Sequence, residues 1–208
     1  ELYLTEKMCT HAHVATGLVY PEQELAQAQE QLLFAQFHDI LPGSSIQAVE
    51  EQGLQIMHHG LNLLRNLKAR AFFALGAHEK AAAPGTYPVL VYNPHPFPVT
   101  DVFEVEFMLA DQNWSKEPFV FTQVYRGNEK LPTQCVQERS HVPIQWRKRV
   151  AFRATLAPFS MNRFDIREEL RPFPVLPQPE KEIRFENERM RLVISKETGL
   201  IESYRVDG

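Results

Sequence analysis

The sequence predicts an α+β chain, and a change of apolar spacing along it indicates this fold class. Between Pro21, which suits a first helical position because it lacks an N–H, and Leu75, apolar residues recur every three or four positions. From Pro88 onward they alternate with polar residues, as in half-buried strands. We therefore expect an N-terminal antiparallel helical hairpin or three-helix-bundle-like domain. An antiparallel β-sandwich-like domain and the opening hairpin of a further β domain should follow.

The helical region is expected to contain a tight joint between two helices. The pattern stops at 41–43, Leu-Pro-Gly, which is a strong helix breaker. Ser44 or Ser45 is expected to cap the next helix through its hydroxyl. Gly53 and Gly60 lie on the apolar stripe of that second helix, so another helix can approach it closely there.

The β region is predicted from alternation and turn residues. The expected strands are 88–92, 103–107, a hairpin of 120–125 and 133–137 around the turn 126–129, and a one-sided strand at 144–156 with a basic outer face. Asn93, which precedes Pro94, is interpreted as a turn residue. The basic run 147–149 is expected to face solvent.

The C-terminal part is predicted to begin a separate unit. A proline-rich stretch at 171–179 is expected to be a stiff linker, and a hairpin is expected around the turn 196–199. Because a lone hairpin is only marginally stable, it should open a larger β domain. The predicted domains are a central helical domain at 1–80, an antiparallel β domain at 84–170, and the linker with the start of a C-terminal β domain at 171–208.

Charge and composition argue against several partners. The net charge of −4 over 208 residues gives no electrostatic case for nucleic acid or an anionic membrane. No apolar run approaches the ~20 residues that span a bilayer. The two cysteines, Cys9 and Cys135, are expected to be unpaired thiols of a reducing compartment. The start at Glu1 suggests a fragment of a longer protein.

The segment with the clearest chemistry is 36–45, Gln-Phe-His-Asp-Ile-Leu-Pro-Gly-Ser-Ser. Consecutive side chains on a helix diverge by about 100°, so His38 and Asp39 would address different atoms. A neutral imidazole is a good zinc ligand, and a carboxylate is a good acceptor for paired sugar hydroxyls. Considered alone, the pair is a weak signal, since such a pair is more often structural, a histidine at a helix end beside a carboxylate.

As a whole, this segment resembles the His-Asp segment in the central helical domain of glycoside hydrolase family 38, most of all in its cytosolic branch. Four further stretches resemble other parts of the family: 20–34, 91–94, 186–188 and 197–201. The resemblance implies a retaining α-mannosidase of the cytoplasm that acts on terminal α-mannosides or mannose oligosaccharides. It also implies a divalent metal, most fittingly zinc.

By this resemblance His38 is a metal ligand and Asp39 contacts the mannose bound at the metal. The other ligands, a His and two Asp, would come from an N-terminal catalytic domain of the same protein, which would be the partner of this chain. Neither the family's His-x-Asp motif nor the segment with its nucleophilic Asp occurs in this sequence. Since a retaining glycosidase needs two carboxylates about 5–5.5 Å apart, we expect no catalytic residue here and no activity from the chain alone. The alternative is a non-catalytic carbohydrate-binding or interdomain scaffold module.

The remaining candidate residues are four histidines and two tryptophans: His11, His13, His58, His59, Trp114 and Trp146. The first pair would point the same way on a strand, and surface or contact roles are expected for it. The second pair would point apart on a helix, which disfavours a chelate. Trp146 alternates in step with the apolar residues of its predicted strand, so a core position is expected for it. Trp114 lies in a polar stretch and is the better candidate for stacking on a sugar.

Overall fold

A computed structural model describes residues 1–110, 119–136, 146–172 and 181–206. The helices are α1 (Leu2–Thr16), α2 (Glu22–Ala35) and α3 (Gln47–Gly76). The strands are β1 (Thr86–Asn93), β2 (Val99–Met108), β3 (Phe119–Arg126), β4 (Glu129–Lys130), β5 (Thr133–Val136), β6 (Arg147–Leu156), β7 (Ser160–Arg171), β8 (Glu182–Glu186), β9 (Met190–Ser195) and β10 (Ile201–Val206). The predicted α+β class, with antiparallel sheets, is confirmed.

The chain divides into two compact units, Glu1–Arg171 and Pro172–Gly208. The first unit contains all three helices and β1 to β7. Its further division into a helical domain at 1–80 and a β domain at 84–170 stays a prediction. Trp114 and most of the proline-rich stretch lie outside the described residues.

The three helices enclose one apolar cluster, to which α1 contributes Met8 and Ala12, and α3 contributes Leu64 and Leu67. Close approach at the glycines of α3 is confirmed. A Cβ at Gly60 would lie 3.0 Å from Gln31 Oε1 on α2. Helices can pack this closely only where a side chain is missing.

The starts of the helices differ from the prediction. The N-terminal α1 was not predicted, and Pro21 is the residue before α2 rather than its first. The predicted serine cap of α3 is wrong, because the helix begins after Ile46, in the extended conformation (φ −69°, ψ 152°), with no side-chain cap. The hydroxyls of Ser44 and Ser45 instead donate to the backbone carbonyl of Asp39.

Two sheets form a sandwich over a second apolar cluster. One sheet has the order β1-β7-β3-β4 and the other β2-β6-β5. Phe164 and Ile166 of β7 and Phe152 of β6 are fully or almost fully buried in the shared cluster. The rings of Phe152 and Phe164 lie 5.0 Å apart, centre to centre, so the two inner faces are in contact.

The predicted hairpin at 120–137 is only partly correct. The strand that returns along β3 is the short β4, and the next strand, β5, pairs with β6 in the other sheet. The change of sheet takes place at Leu131 and Pro132. Leu131 is buried and donates its N–H to the carbonyl of Val124, while the carbonyl of Pro132 accepts the N–H of Arg153. Proline has no N–H to extend a ladder, which suits such a crossover.

Strand β6 alternates as expected, with one exception in its basic run. Val150, Phe152 and the following even-numbered residues are buried. Arg147 and Arg149 lie on the outer face and pair with glutamates of β2. Lys148 has the parity of the apolar residues and is buried, so the prediction of a solvated face is wrong for this residue.

The turn between β6 and β7 contains a strained residue. Among the described residues, Phe159 is the only non-glycine with a positive φ, at +39°. The left-handed region costs an L-residue with a Cβ roughly 1–2 kcal/mol. The turn is held by its surroundings, since Asn93 Nδ2 donates to the carbonyl of Ala157 and Phe159 N–H donates to the carbonyl of His95. Asn93 thus organises turns, as predicted, but it is buried at the end of β1.

The second unit contains a three-stranded antiparallel sheet of order β10-β9-β8. The predicted hairpin is β9 and β10, and β8 was not predicted. The register places eight apolar side chains on one face: Ile183, Phe185, Met190, Leu192, Ile194, Ile201, Tyr204 and Val206. Ile201, Tyr204 and Val206 are more than half exposed.

Candidate functional site

The predicted site residues lie in a series of turns after α2. The helix ends at Ala35, and the amides of Ile40 and Leu41 both donate to the carbonyl of Phe37. Pro42 cannot continue a helix, and Gly43 has a φ of +73°, which glycine adopts without strain. His38 and Asp39 therefore lie beyond the helix.

The side chains of His38 and Asp39 face each other. His38 Nε2 lies 3.3 Å from Asp39 Oδ2, and the two side chains are 77% and 59% exposed. The expected divergence of the pair is wrong, because it assumed helical geometry for both residues. The ring of Phe37 lies 4.2 Å from that of His38, centre to centre. Because both side chains are largely exposed, their mutual contact leaves both groups accessible to other ligands.

Hydrogen bonds within this loop and one contact with α3 fix its backbone. Ser45 Oγ donates to the carbonyl of Asp39 at 2.5 Å, and Ser44 Oγ donates more weakly to the same oxygen at 3.4 Å. A Cβ on Gly53 of α3 would lie 3.1 Å from Ile40 Cγ2, so Ile40 packs on the bare helix backbone. The backbone of the His-Asp pair is thus fixed although its side chains are exposed.

An open depression of about 610 Å³ lies beside Asp39. Its lining is mostly apolar: Phe34, Phe37, Asp39, Ile40, Ser44, Ser45, Ile46 and Val49. Ile46 of this lining and Leu41 of the same loop are each 72% exposed. Exposed apolar groups that surround a polar pair are typical of surfaces that meet another protein surface or a ligand.

Comparison with known families identifies the helical region. Residues 1–75 match the family model described as the alpha mannosidase middle domain. The match covers 75 of the 208 residues and shows that this region is similar to an alpha-mannosidase middle domain. The match confirms the α-mannosidase resemblance drawn from the sequence. A comparison with curated proteins finds no match.

Solved structures extend the fold likeness beyond the middle domain. An α-mannosidase from Enterococcus faecalis V583 superposes with a TM-score of 0.63 at 18% identity, over 96% of this chain and 27% of that one. A protein in glycosyl hydrolase family 38 from Enterococcus faecalis gives a TM-score of 0.60 at 18% identity, over 95% of this chain and 28% of that one. The chain thus spans about a quarter of the length of these structures. The TM-scores show a shared fold, and at 18% identity the likeness is one of fold alone.

The described residues contain no complete metal site. Within the described ranges, no three His, Cys, Asp or Glu side chains are grouped so that they could hold a metal ion. A structural or catalytic zinc needs three or four protein ligands. A metal at His38 would therefore draw its other ligands from outside the described residues. The roles of His38 and Asp39 stay predictions.

The two histidines of α1 make structural contacts. His11 and His13 lie on α1, so the strand geometry considered for them is wrong. His11 Nδ1 lies 2.9 Å from the hydroxyl of Tyr92, and His13 Nδ1 lies 2.7 Å from the carbonyl of Leu18. Burial raises the pKa of the Tyr92 hydroxyl, so this group is a neutral partner for His11.

The structure also shows the environments of three further residues, Trp146 and the two cysteines, and Trp146 is less buried than its predicted core position implies. Trp146 is half-buried, and its Nε1 donates to the carbonyl of Leu109 at 2.7 Å. The cysteines are both unpaired, and burial raises the pKa of the Cys9 thiol. None of the described helices is long and apolar enough to cross a membrane.

Proposed function

We propose that this chain is part of a retaining, metal-dependent α-mannosidase of the cytoplasm that hydrolyses terminal α-mannosides. One observation supports this above all: the exposed His38–Asp39 pair lies within an alpha-mannosidase middle domain, at the end of its helical hairpin. The substrates would be α-mannosides or mannose oligosaccharides.

His38 would act as one metal ligand through its neutral imidazole, and zinc is the metal that suits it best. A bound divalent metal supplies positive charge that polarises substrate oxygens. The ring of Phe37 restrains the His38 ring on one side. The side-chain exposure of His38 supports this assignment, because the missing ligands must reach it from another part of the protein.

Asp39 would bind the sugar. Its carboxylate can accept two hydroxyl hydrogen bonds, which orients a pyranose ring. Ser45 supports that role, because its hydroxyl donates to the backbone carbonyl of Asp39 and leaves the side-chain carboxylate exposed. The remaining ligands, the nucleophile and the acid/base carboxylate would belong to an N-terminal catalytic domain. The apolar rim at Leu41 and Ile46 is the kind of surface such a domain would cover.

The second candidate is a non-catalytic module that binds carbohydrate or joins domains. The lack of a three-ligand group among the described residues favours it for the chain in isolation. It predicts that the intact protein has no glycosidase activity that depends on His38.

The test compares the intact protein with the chain of 208 residues. The intact protein should hydrolyse an aryl α-mannoside, lose activity with a chelator and recover it with zinc. The chain alone should give no turnover and should bind zinc weakly in a calorimetric titration. Metal-dependent turnover by the chain alone, or a submicromolar zinc site lost on His38→Ala, would overturn the fragment interpretation. An intact protein that is inactive on aryl and oligosaccharide α-mannosides would overturn the proposed activity.

A further inference from the structure

A second depression lies on the outer side of α1 and shares no lining residue with the His38–Asp39 site. It has a volume of about 460 Å³. Helix α1 contributes Glu6, Lys7, Thr10, His11 and Val14, and the β6–β7 turn contributes Phe159. Its volume is within the range of small-molecule sites, about 300–1,000 Å³.

Phe159 is the feature of this depression that needs an explanation. The turn requires a positive φ, for which glycine is the unstrained residue, and a bulky side chain there is a genuine outlier. Its ring is 45% exposed, and it is not among the described residues that build or pack against the two apolar clusters. Core packing therefore does not account for the strain. Strained residues held by their surroundings are concentrated at binding sites.

The groups around the Phe159 ring have the chemistry of a sugar site. Glu6 offers an acceptor for paired hydroxyls, and Lys7 offers a donor. His11 is half-buried, and its Nδ1 contact with the Tyr92 hydroxyl fixes the ring. A pyranose has an apolar C–H face that packs on an aromatic ring and a rim of hydroxyls that bind such polar groups. Sites of this kind combine an apolar surface with a few polar groups that set orientation.

We propose that Phe159 and the outer face of α1 form a carbohydrate-binding site for a single pyranose unit, separate from the site of hydrolysis. Phe159 forms the platform, and Glu6 and His11 orient the hydroxyls. Binding involves no bond cleavage. In an enzyme that acts on oligosaccharides, such a site would retain a distant sugar of the same glycan. The placement of the site rests on the depression and on Phe159 alone. The choice of mannose as the first sugar to test rests on the proposed function.

The test uses the 208-residue chain and methyl α-mannopyranoside, followed by two-dimensional amide NMR. We expect chemical-shift changes at 6–14 and 157–160, saturating in the millimolar range. Phe159→Gly should abolish these changes and leave the thermal midpoint unchanged or higher, because it relieves the positive φ. Glu6→Gln should weaken binding several-fold at constant stability. Phe73→Ala, which removes a ring that is 73% exposed on α3, is the matched control and should bind as the parent chain does.

Three outcomes would overturn the proposal. One is the absence of shifts at these residues up to the solubility limit of the sugar. Another is binding that survives Phe159→Gly, which would place the sugar elsewhere. The third is a large loss of stability in Phe159→Gly, since Phe159 would then be a packing residue. In the intact enzyme, Phe159→Gly should leave kcat on a small aryl α-mannoside unchanged, so failure of the proposed activity and failure of this site are distinguishable.

Discussion

The sandwich core and the end of the helical hairpin are both rich in large apolar residues, but they differ in how those residues are covered. Phe164 and Ile166 of β7 are fully buried between two sheets. Phe37 is 52% exposed and Leu41 is 72% exposed on the loop that contains His38 and Asp39. The first region stabilises the chain through buried apolar packing, whereas the second leaves apolar side chains exposed.

This contrast fits the proposed role of the loop that contains His38 and Asp39, which is an exposed part of the first unit. A metal ligand that completes a site built elsewhere must remain accessible until the surfaces meet. The loop has the geometry that the proposed role of His38 needs, because Ser45 and Ile40 fix its backbone and the side chains of His38 and Asp39 are exposed. Exposed apolar surface of this kind marks interaction sites. We therefore expect mutations in the sandwich core to lower stability, and mutations of His38 and Asp39 to lower activity. Both effects can be measured.

The largest effect is expected in the sandwich core. Phe164→Ala should lower the free energy of unfolding by about 3–5 kcal/mol, because it removes a fully buried ring and leaves a cavity. The matched variant Phe37→Ala removes the same side chain from the exposed loop and should cost within about 0.5 kcal/mol. Urea unfolding of the chain measures both. Equal losses in the two variants would mean that the loop is as well packed as the core.

The next effect concerns activity of the intact enzyme. Asp39→Asn should lower kcat/KM about ten- to a thousandfold, the ~1.4–4 kcal/mol expected for a charged hydrogen bond to the reacting sugar, with near-normal metal content. His38→Ala should lower both metal content and activity. Neither variant should change the thermal midpoint, since both side chains are exposed.

Matched controls for this pair are Asp101→Asn and His58→Ala, which change exposed residues of β2 and α3. They should leave metal content and initial rates as in the parent enzyme. Loss of the metal in Asp39→Asn but not in His38→Ala would reverse the two roles. Full activity in both would mean that the pair is structural.

The sequence predicts the packed regions of this molecule better than it predicts the exposed loop with His38 and Asp39. The alternating pattern of β6 and the glycines of α3 are local signals of packing, and both predictions were correct. The crossover at Pro132 could not be predicted, because the partner of β5 is set by contacts distant in sequence. The geometry of His38 and Asp39 was missed because a helix was assumed to continue through them, although Pro42 follows only three residues after Asp39.

Two further features left a weaker signal in the sequence. The serines after Gly43 suggested a cap, and only the structure places Ser45 on the carbonyl of Asp39 instead. Phe159 follows Pro158 in a turn between two strands, a position where glycine or asparagine would be expected. A bulky residue at such a position is a usable sequence signal once both flanking strands are assigned.

A smaller effect should separate the two glycines of α3. Replacing either by alanine gains up to about 1 kcal/mol of helix propensity, offset by the close contact that the new Cβ makes. At Gly60 the nearest atom is the flexible end of Gln31, whereas at Gly53 it is Ile40 of the His-Asp loop. Both variants should unfold within about 1 kcal/mol of the parent chain. Only Gly53→Ala should lower kcat/KM of the intact enzyme, because it displaces the loop. Equal kcat/KM values in Gly53→Ala and Gly60→Ala would show that Ile40 does not position the loop that contains His38 and Asp39.

The smallest effect is expected on the outer face of the sandwich, where charges replace apolar packing. The Arg171 guanidinium holds the pKa of Glu169 below its usual value, with further hydrogen bonds from Tyr125 and Lys130. Because the folded pKa lies below the unfolded value of about 4.3, this stabilisation is fully present above that value and is lost as the pH falls through the folded pKa. Glu169→Gln should therefore cost less than about 1 kcal/mol at pH 7 and nothing at a pH below the folded value. Arg171→Lys, which keeps the charge but loses the two-pronged contact, should give part of the same loss. Thermal midpoints of the parent chain and both variants, measured from pH 7 down to pH 2.5, test this prediction. A difference between Glu169→Gln and the parent chain that persists in acid would mean that the carboxylate stabilises the sheet by packing rather than by charge.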